Sequence, residues 1–201
     1  MKIWRIALMM LAAFSLASCS SDDDKVSEAD INRALFEMKK GYIGELKYGL
    51  KDENWSKTVE GVVAQSAEGI RLSIPLEPIA EQVKDEATAQ KLREWQTADV
   101  YARYEFVSVE DEYFSFRLHT EMSPDERFAE PITRTQPVEY GGLTLLFNQN
   151  YTGEYQKYNE SLSFNICIGG ILINREYVEG FKPIVFRYEG HGDTRIYTGE
   201  Q

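Results

Sequence analysis

Gly41-Tyr42-Ile43-Gly44-Glu45-Leu46-Lys47-Tyr48-Gly49-Leu50 is the stretch at which the chain turns from a helical period to a period of two. Tyr42, Gly44, Leu46, Tyr48 and Leu50 fall on one side, and Ile43, Glu45, Lys47 and Gly49 on the other. Successive side chains of an extended strand point to opposite faces, so this alternation predicts a half-buried antiparallel strand. Working outward, further strands are predicted over 57–65, 69–75, 99–109, 112–120, 137–147, 160–174, 183–189 and 193–198, most of them separated by turn residues. Gly141-Gly142 and Gly169-Gly170 interrupt the alternation within two of these segments, as bulges or sharp bends do.

Two helical segments accompany the strands. Ser27-Glu28-Ala29-Asp30 has the form of a capping box, in which Ser27 receives a free amide of the first turn and Asp30 reaches back. Ile31, Leu35 and Met38 follow at spacings of four and three before Lys39, Lys40 and Gly41 end the pattern, predicting an amphipathic helix over about 28–40 whose apolar stripe covers one end or edge of the sheet. A second helix is expected to open at Pro75-Leu76-Glu77-Pro78 and to carry Ile79, Val83, Ala87, Leu92 and Trp95 on one face. The proline-bearing stretch 121–137 is the expected long loop. So many short strands curl or split to hide an apolar face. The predicted fold is therefore mainly β, an antiparallel barrel or barrel-like sandwich with one N-terminal helix and one inserted helix, in a single domain over 27–201.

Ahead of that domain, residues 1–18 have the cationic start (Lys2, Arg5), short apolar run (Ile6 to Phe14) and small-residue end of an export signal. The run is well short of the roughly twenty residues that cross a bilayer. Its ending, Leu16-Ala17-Ser18-Cys19, resembles the lipobox of bacterial lipoproteins, which implies cleavage after Ser18 and lipid on Cys19. Several acyl chains hold a protein durably where one is marginal. Ser20-Ser21-Asp22-Asp23-Asp24 then resembles the acidic signal that sends Bacteroidetes lipoproteins to the outer face of the outer membrane. Residues 19–26 would form the tether, and an inward-facing periplasmic location is the alternative. Taken together, the lipobox, the acidic tether, the opening Gly-Tyr-Ile-Gly strand and the all-β remainder resemble the Bacteroides surface lipoproteins with lipocalin-like (calycin-like) barrels. That resemblance implies a pocket for a small ligand. Gly41-Tyr42-Ile43 stands where lipocalins have Gly-X-Trp.

Of 22 basic side chains, the export signal takes Lys2 and Arg5, leaving 20 against 33 acidic ones, a net charge of −13. Such acidity repels phosphate backbones, so nucleic acid is not an expected partner. With Cys19 committed to lipid, Cys167 has no intramolecular disulfide partner and reads as a small core hydrophobe in Ser163-Phe164-Asn165-Ile166-Cys167-Ile168.

No nucleophile elbow, His-Glu-X-X-His helix or phosphate loop is present in the sequence, and no catalytic residue, metal or cofactor is assigned. His119-Thr120-Glu121 and His191-Gly192-Asp193 each place an acid two residues beyond a histidine, on one face of a strand, where two such segments could share a metal if they met. Glu105, Glu110, Asp111 and Glu112 offer carboxyl pairs of the kind glycoside hydrolysis requires, although 110–112 reads as a hairpin tip. The segment 148–158 is polar and rich in tyrosine. Tyr151, Tyr155 and Tyr158 are its candidate ligand contacts, against the alternative of a loop covering the core's rim. Trp55 and Trp95 are expected to pack. The expected function is non-enzymatic binding of a small apolar or glycan ligand inside or at the mouth of the barrel. An accessory subunit of an outer-membrane protein complex comes second, and a hydrolytic or metal-dependent enzyme third. A cavity lined by Tyr42, Leu46, Phe114 and Phe116 would favour the first, and a filled core with an exposed aromatic patch the second.

Overall fold

The computed structural model describes residues 26–120, 132–133, 143–148 and 151–193. The export signal, Cys19, Ser20, Ser21, Asp22, Asp23 and Asp24, most of the loop 121–137, Gly141-Gly142, and strand 193–198 beyond Asp193 lie outside these residues. Helix α1 (Glu28–Met38) leads into β1 (Gly41–Leu50), β2 (Lys57–Ser66) and β3 (Gly69–Pro75). Two short helices follow, α2 (Glu77–Ala80) and α3 (Glu86–Trp95), and then β4 (Thr97–Val109) and β5 (Tyr113–Thr120). The chain closes with β6 (Ile132–Thr133), β7 (Leu143–Asn148), β8 (Thr152–Gln156), β9 (Ser161–Ile173), β10 (Glu176–Tyr177) and β11 (Ile184–Asp193).

Eight strands form a closed antiparallel barrel in the order β1-β2-β3-β4-β5-β8-β9-β11, with β11 pairing back onto β1 from Gly41↔Asp193 to Leu50↔Ile184. Strands β7 and β8 follow one another along the same edge of β9, β8 against Ser161 to Phe164 and β7 against Cys167 to Ile173. Beyond Ile168, β9 leaves β11 and carries β7, β6 and β10 past the barrel as an arm.

The alternation expected for β1 is realised: Tyr42, Leu46 and Tyr48 are buried in the core, whereas Ile43 is exposed. Large rings on β5, β8, β9 and β11 (Phe114, Phe116, Tyr155, Phe164, Phe186, Tyr188) face small residues on β2 and β4 (Ala64, Ala98, Ala102), the complementarity of sizes that fills a barrel interior. Rings on neighbouring strands pack side by side within it, Tyr104 with Phe116 at 4.9 Å between centroids, Phe164 with Tyr188 at 5.1 Å and Phe114 with Tyr155 at 5.4 Å.

Helix α1 covers the Gly41 end. Ser27 caps it by receiving the Asp30 amide at 3.1 Å, and the Ser27 hydroxyl in turn donates to the Asp30 carboxylate at 2.6 Å. Ala34 and Met38 are buried beneath it, and the Tyr42 hydroxyl donates to the Met38 carbonyl at 3.0 Å. The opposite, Leu50 end receives the inserted helices. Here the expectation of one continuous helix is corrected: α2 and α3 are separate pieces. Asp85 begins a new helix, its carboxylate accepting from the Thr88 amide (2.9 Å) and hydroxyl (2.5 Å), and Pro78, Ile79, Ala80, Ala89 and Leu92 are the buried residues. The spacing from Ile79 through Val83 and Ala87 to Leu92 does not hold one helical face, which is why the segment breaks.

The remaining strands fall close to expectation, except that β8 lies within the stretch read as a tyrosine-rich loop, the two-residue β6 lies within the expected loop 121–137, and the two-residue β10 falls between two predicted strands. The expected bulge at Gly169-Gly170 is present: Leu146 faces Gly170 and Phe147 faces Ile168, leaving Gly169 over. A second bulge sits at Gly61, skipped between Val62 and Glu60 and held at φ +70, where the left-handed backbone suits glycine.

Candidate functional site

At the Leu50 end three segments converge: the β1–β2 loop 51–56, helix α2, and the approach to β11 at 180–183. Backbone bonds knit them, with the Lys51 amide donating to the Pro183 carbonyl at 2.8 Å and the Ser56 amide to the Tyr48 carbonyl at 2.9 Å. The Gln82 side chain behaves as a piece of strand, donating to the Lys182 carbonyl at 3.1 Å and accepting from the Lys182 amide at 2.7 Å. Between these segments lies an open hollow of about 380 Å³. Its floor is the buried Gly49, Pro78 and Ile184; its rim carries the exposed Ser56, Glu81 and Lys182. An apolar floor with a few polar groups on the rim is the common form of a small-ligand site, and the size falls at the lower end of the range of ~300–1,000 Å³ for such sites. Trp55, next to Ser56, is 46% exposed.

Beside the hollow, Lys57 at the start of β2 pairs with Glu77 at the start of α2 at 2.7 Å, and the Tyr48 hydroxyl donates to the same carboxylate at 3.5 Å. The hydrogen bond from Lys57 holds the Glu77 carboxyl below its ordinary value, and that same bond raises the Lys57 ammonium. A second hollow, of about 390 Å³, lies at the Gly41 end between Leu35 and Phe36 of α1, Lys39 just after it, and Ala67, Glu68 and Tyr101.

The three candidate tyrosines do not share a surface. Tyr155 is deep in the core on β8, edge-on to Tyr42 at 6.4 Å, with the Lys40 ammonium 6.0 Å from its ring centre. Burial works against the Lys40 charge, but the hydrogen bond to Glu160 at 2.7 Å, with the charges around it, outweighs that cost and the net shift is upward. Tyr158 lies in the β8–β9 turn, 77% exposed, and Tyr151 is half-buried beside Cys167, its hydroxyl pushed up to about 12 by burial. Cys167 is fully buried, as expected of a core residue, and burial raises its thiol.

The histidines stay apart. His119 on the outer face of β5 pairs with Glu105 of β4, while the His191 Nδ1 lies 3.5 Å from the Asn159 carbonyl at the Gly41 end. Glu121 falls outside the described residues. Among the described residues no three His, Cys, Asp or Glu side chains gather to hold a metal ion. Glu110, Asp111 and Glu112 form the β4–β5 hairpin tip, with Asp111 pairing across to Arg33 of α1 at 3.4 Å. Tyr42, Leu46, Phe114 and Phe116 are 0–1% exposed and belong to the packed core. Trp95 packs against that core. The residues of the Leu50-end hollow carried no signal in the sequence beyond the turn character of 51–56, because they lie far apart in the chain and meet only through folding. No helix among the described residues is long and apolar enough to cross a membrane. No protein-family model, curated protein or solved structure matches the chain.

Proposed function

We propose that the protein is a lipid-anchored lipoprotein of the outer membrane, displayed at the cell surface, that binds a small glycan or apolar ligand at the mouth of its barrel without transforming it. The anchor reading rests on Leu16-Ala17-Ser18-Cys19 and the acidic Ser20-Ser21-Asp22-Asp23-Asp24 that follows. The observation that carries the binding reading is the hollow at the Leu50 end, with its buried apolar floor and its Glu81 and Lys182 rim. Its placement is consistent with the anchor: the tether joins α1, which covers the Gly41 end, so the hollow opens at the far end of the barrel. The packed aromatic interior favours the mouth over the inside as the place of binding. A pairing of Glu105 with His119 on the outer wall, and of Asp111 with Arg33 at a hairpin tip, supports structural rather than catalytic roles for these acids.

Native mass spectrometry of the full chain in detergent, incubated with a panel of neutral and acidic oligosaccharides and with a membrane lipid extract, tests the proposal. A retained ligand that is lost in Glu81→Ala and Lys182→Ala, and kept in Asn165→Ala on β9, which does not line the hollow, is the expected result. No retained mass from either mixture, or retention indifferent to all three substitutions, would overturn it. A second reading, an accessory subunit of an outer-membrane complex, is favoured by one feature of the barrel wall, a strand edge left unpaired between β2 and β3.

A further inference from the structure

Strand β2 pairs with β1 from Gly41↔Gln65 to Tyr48↔Lys57, but with β3 only at Ala64↔Leu72, Gln65↔Arg71 and Ser66↔Ile70. Toward the Leu50 end the seam parts, leaving residues 57–63 of β2 and 73–75 of β3 without a neighbour in the sheet on their facing edges. Residues 57–61 and Val63 are exposed, Val59 at 38% and Val63 at 39%, and Ile43 on the adjacent strand is 44% exposed. An apolar strand edge open to water is a liability that proteins blunt with charge, proline or cover. Here Lys57 is drawn to Glu77, and Glu60 remains as the edge's own charge.

Glu60 also stands directly opposite Glu45 of β1. Glu45 has a cation, Lys47 at 2.5 Å, which Glu189 shares at 3.4 Å. Among the described residues Glu60 has no ion-pair partner, so two like charges face each other with one cation already spoken for. A strand laid along the free edge would set its own side chain beside Glu60, and a lysine or arginine there would relieve that repulsion.

From this geometry we propose that residues 57–63 are a docking edge for an extended segment of another polypeptide, added as an antiparallel strand, with a cationic side chain opposite Glu60 and a β-branched apolar one opposite Val59. The backbone edge selects a strand, since only extended chain matches alternating amides and carbonyls. A second copy fits less well. The register that uses the whole edge, 57–63 against 63–57, would set the two Glu60 side chains opposite each other, and the chain's net charge of −11 opposes self-association. This gives the accessory reading a site that begins beside the hollow but has its own test, on Glu60, where the test of the hollow falls on Glu81 and Lys182.

The probe is an eight-residue blocked peptide alternating valine with lysine and threonine, compared with the same peptide carrying glutamate for lysine. Amide hydrogen exchange of the full chain in detergent is read residue by residue. The lysine peptide should slow exchange within 57–63 and leave β9 unchanged. The glutamate peptide should bind about tenfold more weakly, as a switch from attractive to repulsive cross-strand charge implies. Glu60→Lys, checked for an unchanged circular dichroism spectrum, should reverse the preference. No protection at 57–63 from either peptide at millimolar concentration would overturn the proposal. So would equal binding of the two peptides that Glu60→Lys leaves equal. Protection that rises with protein concentration in the absence of peptide would assign the edge to a second copy and overturn it as well.

Discussion

Gly44 sits where β1 and β11 approach too closely for a side chain. It faces Gly190 in the register, and a methyl group there would overlap the Glu189 carbonyl and the Gly190 backbone. Gly44→Ala should therefore lower the free energy of unfolding by ~1–3 kcal/mol, the usual cost of overpacking. Gly169, the bulge residue of β9, has open space instead: a methyl group added there would find its nearest neighbour, the Leu146 carbonyl oxygen, 3.9 Å away. Gly169→Ala should stay within ~0.5 kcal/mol of the parent, as substitutions outside packed sites do. Urea denaturation of both variants checks the pair, and equal losses would show that the Gly44 contact is not limiting. At this scale the tyrosines of 148–158 were the least legible in the sequence. Tyr151, Tyr155 and Tyr158 follow a helical spacing, yet the segment is strand then turn, and the period of two sends Tyr155 inward while Tyr158 passes into the turn. Composition marks a residue as suited to a surface or a core, and the backbone period chooses between them.

Among the elements, α1 and the strands with clean alternation could be read from the chain, because their signals are local: a serine cap, a stripe at three and four, a repeat of two. The inserted helices show the limit of such signals. Pro78 and the apolar residues announce a helix, but its division depends on Asp85 recapturing the Thr88 amide and hydroxyl after the chain has bent. Asp85→Ala should cost ~1 kcal/mol in denaturant unfolding, the usual loss for an N-cap. An unchanged midpoint would mean that α3 starts elsewhere. Strand β8 was hidden for another reason. Its residues, Thr152-Gly153-Glu154-Tyr155-Gln156, are polar on one side and include a glycine, and they become strand because β5 and β9 flank them on both edges. Tertiary neighbours overrode weak local propensity.

Across the whole molecule, closure distributes stability unevenly. Leu162, Phe164 and Ile168 lie on a strand paired along both sides, whereas residues 57–63 are paired on one. In the free protein the protected amides of β9 should exchange only through global unfolding. Those of 57–63 should open locally and exchange at least ~100-fold faster, since local opening free energies run from near zero up to the global value. Uniform protection around the barrel would contradict the parted seam. The same unevenness separates the two candidate surfaces: the hollow is held by loop and helix contacts at the barrel mouth, and the free edge belongs to the wall.

By itself the sequence determined the class of the fold, the positions of most strands, the capped first helix and the burial of Cys167, because each follows from periodicity or composition within a few residues. It also carried, through resemblance, the reading of residues 1–24 as export signal, lipid site and surface address. Only the tertiary structure decided which strands close the barrel, that Tyr42, Leu46, Phe114 and Phe116 are packed in one core, and that His119 and His191 stay apart. Only folding, too, brings Pro78, Gln82 and Lys182 to Leu50 and Ile184 at one mouth of the barrel, and leaves one edge of β2 open. Those outcomes depend on contacts between residues distant in the chain, and no local period encodes which distant partner a strand or loop will meet.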